Sequence, residues 1–364
     1  MSNRTNIYYW KCDRPEAFAN LGKGCDDQER TDLETGLNLV CSKLYGSEDY
    51  SLKVAFGQGN HRNFSVCHGG TNDFIRVENS HDRDDYMIVE TEVIRRVSRC
   101  GIPVPDIYHV DASRERFPFA YQVMEQFKSP DINSIYKRGD LDTEVIMRQL
   151  GSYIATWQSV STDGFGLFDT EALKNTGVLK GLHATYPEYY YMNLKAHLSF
   201  LVERGFITQS FSSELLSVVD KYSSLLELER GCLVHKDIAF WNLLGTCDRI
   251  ESVIDWDDTI MGDPTDDLSL MACYHSWVEL KPLFEGYASV KNLPDNFEKR
   301  FWLHLLRNII FKAVIRVGAD YFDKNDDFFL VGHEKGGSDL KTFTLSRIEA
   351  AYGGLMGNKK IEEL

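Results

Sequence analysis

The sequence has no two cysteines close enough to make a C-x-x-C or similar motif. Its eight thiols, at 12, 25, 41, 67, 100, 232, 247 and 273, are scattered along the chain. That argues against a zinc site or a disulfide framework and for reduced cysteines in a cytoplasmic protein. MSNRTNIYYWKCDRP, at the start, lacks the apolar run of a secretory signal. Long uncharged apolar stretches are missing too. The nearest, FWLHLLRNIIFKAVIRV at 301–317, carries His304, Arg307, Lys312 and Arg316, which excludes a membrane span. Its apolar periodicity suits a core helix with one basic stripe. Positive charge is scarce: 40 Lys and Arg stand against 55 Asp and Glu, a net charge of −15. Such a surface repels nucleic acid and suits cationic or neutral partners. Internal repeats and low-complexity tracts are also missing.

What is present is enough for a sizeable core: 364 residues, 43% of them hydrophobic and 12% aromatic. Residues 1–127 read as a β-rich lobe after an opening helix, whose start is marked by the capping-box pattern Thr31-Asp-Leu-Glu34. SLKVAFGQGN, NFSVCHGGTND and DFIRVEN read as strands joined by turns at Gly57/Gly59 and Gly69/Gly70. A helix over 85–99 follows, then an extended Pro103-x-Pro105 segment and a β-prone run at 119–127. Residues 128–364 show mainly helical periodicity, interrupted by two β-prone runs in 233–256. The expected architecture is α+β, two-lobed, with the ligand in the cleft.

LVHKDIAFWNLLG, residues 233–245, sets His235, Asp237 and Asn242 between apolar runs, and the next run, IESVIDW, brings in Asp255. A hairpin between them would let Asp237, Asn242 and Asp255 converge. The grouping suits phosphoryl transfer, which needs an acceptor for a hydroxyl proton and oxygen ligands for magnesium on a nucleotide. Asp237 would be the base, Asn242 and Asp255 would hold Mg2+, and His235 would brace the loop. Polar residues satisfying a hairpin would be the bland alternative.

The whole stretch LVHKDIAFWNLLGTCDRIESVIDWDDTIMGDPTDDLSLM resembles the core of the aminoglycoside phosphotransferase and choline kinase family, relatives of protein kinases. It matches in His235-x-Asp237-x-x-x-x-Asn242, Ile254-Asp255-Trp256, Gly262-Asp263-Pro264 and Asp267-Leu268. The resemblance implies a protein-kinase-like fold, ATP or GTP as co-substrate, and a hydroxyl acceptor. It assigns the phosphates to Gly57, Gly59 and Arg76, with Glu90 rather than Glu92 as the partner of Arg76. Most relatives have Lys at that position, and hygromycin phosphotransferase-like members have Arg. The purine would meet backbone groups near Met124, Glu125 and Gln126. Lys236 departs from the small residue usual inside the motif; it would either steady the transferred phosphate or be a solvated loop residue. Asp257, Asp258, Tyr274 and Trp277 are candidates for the acceptor site, with Tyr186, Tyr189, Tyr190 and Tyr191 as further ones. Asp263 and Asp267 are expected to brace the catalytic loop. The leading acceptor is an amino-sugar antibiotic, the second a metabolite such as an amino alcohol, sugar or amino acid. A non-catalytic nucleotide-binding protein is the third reading.

Overall fold

The computed structural model describes residues 4–18, 27–46, 49–55, 61–324, 328–330 and 337–364. Gly57 and Gly59 lie outside the described residues.

The first lobe is a five-stranded antiparallel sheet in the order β1-β2-β3-β5-β4. Its strands are β1 (Tyr50–Val54), β2 (Arg62–His68), β3 (Thr71–Glu78), β4 (Ile107–Asp111) and β5 (Ala120–Glu125). The β2–β3 hairpin closes through Gly69 and Gly70 between paired His68 and Thr71. Both glycines have positive φ, 52° and 82°, the backbone that a two-residue hairpin turn demands. The opening helix, Asp27–Tyr45, begins ahead of the Thr31 capping-box pattern. Its Leu33, Leu37 and Val40 share a core with Phe64, Val66, Ile75 and Val123 of the sheet. The helix Met87–Arg99 buries Val89, Val93, Ile94 and Val97 on one face, as its 3.6-residue periodicity requires.

The second lobe is mainly helical. Helices Thr143–Trp157 and Trp277–Ala288 approach closely because of glycine: a Cβ on Gly151 would fall 1.9 Å from Leu283 O, and one on Gly286 2.0 Å from Arg148 O. A four-stranded sheet, β7-β6-β11-β8, joins β6 (Phe165–Phe168), β7 (Gly181–His183), β8 (Cys232–Val234) and β11 (Ile260–Gly262). Between β8 and β11 the chain makes a separate hairpin of β9 (Leu243–Gly245) and β10 (Ile250–Val253).

The 301–317 segment lies in one helix, Phe297–Gly318, buried at every position from Phe301 to Arg316. It is the core helix that its sequence predicts, but its basic stripe is covered rather than exposed. No helix among the described residues is long and apolar enough to cross a membrane. One segment departs from the lobe boundary expected at 127: Ile7, Tyr8, Tyr9 and Trp10 join the second-lobe core. Arg4 pairs with Asp84 and Asp257 and stacks over Trp10 and Tyr86. The start of the chain therefore straps across the lobes, a placement that no local pattern in MSNRTNIYYW announces.

Candidate active site

The β9–β10 hairpin brings the motif together. Ile254 N–H donates to Asn242 O at 3.0 Å, so the residues flanking the two strands, Asn242 and Asp255, face the same cleft. Asp237 joins them, since Asn242 Nδ2 donates to Asp237 O at 2.8 Å and Oδ2 at 3.3 Å. The cleft has a volume of about 530 Å³ and is lined on one side by Arg76, Glu90 and Met124 and on the other by Asp237, Asn242 and Asp255.

His235 is fully buried and braces the loop. Its Nδ1 accepts the Asp237 N–H at 3.3 Å, so its Nε2–H donates to Ile254 O at 3.0 Å. Burial pushes the imidazole down to about 4, which keeps it neutral, and the two hydrogen bonds set the tautomer. Asp267 holds the loop from below, accepting the backbone N–H groups of His235 and Lys236 at 2.9 and 3.0 Å and the Trp157 indole N–H at 3.2 Å. That is the bracing role expected for it. Asp263 instead takes Arg300 and His304 and the Thr265 N–H, fixing the turn into the next helix.

Lys236 corrects the sequence reading in both of its forms. It is neither solvated nor aimed at a phosphate, but fully buried. Its Nζ donates to Asp266 (2.8 and 3.0 Å), Tyr8 (2.8 Å) and Asn308 (2.9 Å). Its backbone φ of 69° is the left-handed conformation that turns successive side chains apart, Lys236 inward and Asp237 to the cleft. Such backbone strain is common where a site must aim a residue.

The cation on Asp237 comes from elsewhere. Lys312, on the buried stripe of the Phe297–Gly318 helix, places its Nζ 2.5 Å from Asp237 Oδ1 and over the ring of Tyr9. Burial alone would raise the Asp237 carboxyl, but the Lys312 ammonium holds it below the ordinary carboxylate value. The sequence reading missed Lys312; the signal was a charged residue recurring in an otherwise apolar helix.

On the nucleotide side, Arg76 forms an ion pair with Glu90 as expected, while Glu92 pairs with Arg96 along the helix surface. Arg76 also reaches Asp255 at 3.2 Å and His61 Nδ1 at 2.8 Å. One guanidinium thus spans three partners from its two terminal nitrogens, in the fixed plane of the fork. Met124, Glu125 and Gln126 line the hinge side of the cleft. The Glu125 N–H, though, is spent on Asp106 O at 2.9 Å, which removes it as a purine contact.

The residues offered to a metal fit magnesium. Asn242 spends its amide nitrogen on Asp237, leaving the amide oxygen for a ligand. Asp255 adopts φ 65°, and burial pushes its carboxyl up to about 6, with the Asp237 and Asp257 charges adding to the effect against Arg76. One carboxylate and one amide oxygen facing the cleft, with the Asp237 and Asp257 carboxylates close by, suit a cation that otherwise keeps to phosphates and water.

One of the four acceptor-site candidates moves. Asp257 lines the cleft, and Arg4 takes one of its carboxylate oxygens at 3.1 Å and its carbonyl at 2.9 Å. Trp277 lies on the second lobe beside Phe284, away from the cleft lining. Asp258 does line the cleft, where burial and the charges of Asp257 and Asp237 push it well above the usual carboxylate range. Tyr274 lines a recess next to Asp237. Tyr186, Tyr189 and Tyr190 are core residues.

A β-sheet lobe with an Arg–Glu pair, a helical lobe with a braced Asp and two oxygen ligands, and a cleft between them define a kinase-like phosphotransferase. The chain belongs to the phosphotransferase enzyme family, whose model matches residues 57–294. Its members are kinases that transfer phosphate to a hydroxyl. No curated protein sequence matches the chain. Among solved structures it is similar to a thermostable mutant of aminoglycoside phosphotransferase APH(4)-Ia in ternary complex with AMP-PNP and hygromycin B. There the TM-score is 0.61 at 16% identity, covering 88% of this chain and 98% of that one. It is also similar to a fructosamine-3-kinase candidate from Haemophilus somnus 129PT, with a TM-score of 0.58 at 12% identity and coverage of 86% and 97%. A third likeness is to spectinomycin phosphotransferase APH(9)-Ia in complex with ADP and spectinomycin, with a TM-score of 0.53 at 16% identity and coverage of 90% and 96%.

Proposed function

We propose that the protein transfers the γ-phosphate of ATP or GTP to a hydroxyl of a small molecule, with magnesium on the nucleotide. The observation that carries this is the convergence of Asp237, Asn242 and Asp255 across the cleft from the Arg76–Glu90 pair. In this reading Arg76 holds the α- and β-phosphates, and the hinge at Met124 and Gln126 receives the purine. Asn242 and Asp255 would hold the magnesium, which neutralises charge on the phosphates. Asp237 orients the acceptor hydroxyl. The hydroxyl oxygen forms a bond to the γ-phosphorus as the bond to the β–γ bridging oxygen breaks; the proton passes to Asp237 and a nucleoside diphosphate leaves. Because Lys312 holds Asp237 ionised, the carboxylate is ready at neutral pH and acts first by positioning.

Resemblance to the hygromycin and spectinomycin kinases supports an amino-sugar acceptor. Asp257 and Asp258 in the cleft lining are the carboxylates an amino sugar would use, whereas Lys312, Lys11 and Arg316 in the recess next to Asp237 favour a metabolite. The test is magnesium-dependent release of ADP or GDP by the purified protein. It would be run against aminoglycosides, hygromycin and spectinomycin, amino alcohols, sugars, hydroxy acids and sugar phosphates. Transfer to one class, dependent on Asp237, would support the reading. Absence of both nucleotide binding and turnover in folded protein would favour a non-catalytic role.

A further inference from the structure

Past Asp237 the cleft continues into a recess of about 50 Å³ that shares Tyr9, Lys11, Asp237, Trp241 and Phe329 with it. The recess adds Lys312, Arg316 and Tyr274, so three cations face one carboxylate. Asp237 answers Lys312, Lys11 is attracted by the Asp255 carboxylate without bonding it, and among the described residues no carboxylate answers Arg316. Arg316 is only 1% exposed. It donates to Thr344 Oγ1 at 2.8 Å and Cys273 O at 3.3 Å, and its Nε has no partner among the described residues. A buried charge is normally paired. The Tyr274 hydroxyl is likewise buried with no partner among them, and Arg316 and Lys312 both lie within 6 Å of its ring. The Lys11 ammonium lies over the Tyr321 ring, 5.6 Å from its centroid. The recess, about 50 Å³ against about 530 Å³ for the main cleft, suits a small group at one end of a substrate.

We propose that the acceptor carries an anionic group, a carboxylate or a phosphate ester, which enters this recess against Arg316, Lys11 and the Tyr274 hydroxyl while its own hydroxyl lies at Asp237. The proposal rests on the kinase reading and adds the acceptor's chemical class. Arg316 supplies a fork that matches a carboxylate or phosphate oxygen pair. Lys312 sits between this group and Asp237, so anion binding and base placement share one cation. The same three cations repel a polyamine.

The test is calorimetric and thermal-shift titration of the protein saturated with magnesium and ADP. The probes are hydroxy carboxylates, sugar acids and sugar phosphates, each beside its neutral and amino-sugar counterpart. The expected result is binding confined to anionic compounds, with the dissociation constant rising tenfold or more in Arg316→Gln and several-fold in Tyr274→Phe. Tyr274→Phe removes a single hydroxyl oxygen, so it keeps the test alive if Arg316→Gln fails to fold. The two anionic sets separate a carboxylate from a phosphate. Binding of an amino sugar, or of no anionic compound by protein that binds magnesium–ADP, would overturn the proposal. Failure to bind magnesium–ADP at all would overturn the kinase reading and the proposal with it.

Discussion

The Lys312 ammonium and the Asp237 carboxylate touch at 2.5 Å although 75 residues separate them in the chain. The contact joins the helix whose basic stripe lies buried in the core to the catalytic loop. It determines what the aspartate can do: a carboxylate held ionised by an adjacent cation is a weak base but a well-fixed acceptor for a hydroxyl hydrogen. That suits a loose transition state, in which the proton is lost late.

Replacing Lys312 by Met removes the only cation bonded to Asp237 among the described residues. Burial then pushes the carboxyl upward, so the acidic limb of the kcat/KM profile shifts to higher pH. Turnover should fall about a hundredfold, on the scale of a mispositioned acid–base group. An unchanged profile would separate Lys312 from the chemistry.

Lys236 behaves in the opposite way. Its ammonium is the ion-pair partner of Asp266, a carboxylate that is itself fully buried. Lys236→Met should therefore destabilise the fold by about 3–5 kcal/mol, the usual cost of leaving one member of a buried pair alone. Denaturant unfolding reads this directly. A phosphate-binding role would instead show as a raised nucleotide KM at unchanged stability.

Arg76→Lys keeps a positive charge and gives up the span from Glu90 to His61 and Asp255. The expected result is a nucleotide dissociation constant raised about tenfold, equivalent to roughly 1.4 kcal/mol, with a smaller effect on the acceptor. Equal affinity for nucleotide in both forms would show that the planar fork is unimportant here.

The dependence on magnesium should itself depend on pH. A carboxylate must lose its proton to ligate a metal, and the Asp255 carboxyl is raised from 3.8 to about 6. Metal-dependent nucleotide binding should weaken by up to tenfold per pH unit below 6 and level off above it. The raised value also has a consequence without metal. The contribution of Asp255 to stability is fully present below pH 4 and lost as pH rises through about 6, so magnesium should stabilise the protein more at pH 7 than at pH 5. Calorimetry across this range checks both statements.

What the sequence revealed depended on how local each feature is. His235, Asp237, Asn242 and Asp255 lie within one short stretch closed by the β9–β10 hairpin, so their spacing was enough. Arg76 and Glu90 were readable because strand and helix follow one another. Lys236 misled because a backbone φ of 69° turns its side chain into the core, and nothing in HKD shows which way it points. The tie between Asp257 and Arg4 was not readable, because the two lie 253 residues apart in the chain. The strap at Tyr8 and Tyr9 and the reach of Lys312 are likewise set only when distant segments pack. The functional motif is local, while the groups that tune it are tertiary.

The central claim is that Asp237 serves transfer rather than nucleotide binding. The most direct measurement is nucleoside diphosphate release with a turned-over acceptor by the native protein and by Asp237→Asn, with magnesium–nucleotide affinity measured on the same samples. The account predicts turnover reduced by at least a thousandfold while affinity stays within a few-fold. Turnover retained in Asp237→Asn would contradict it.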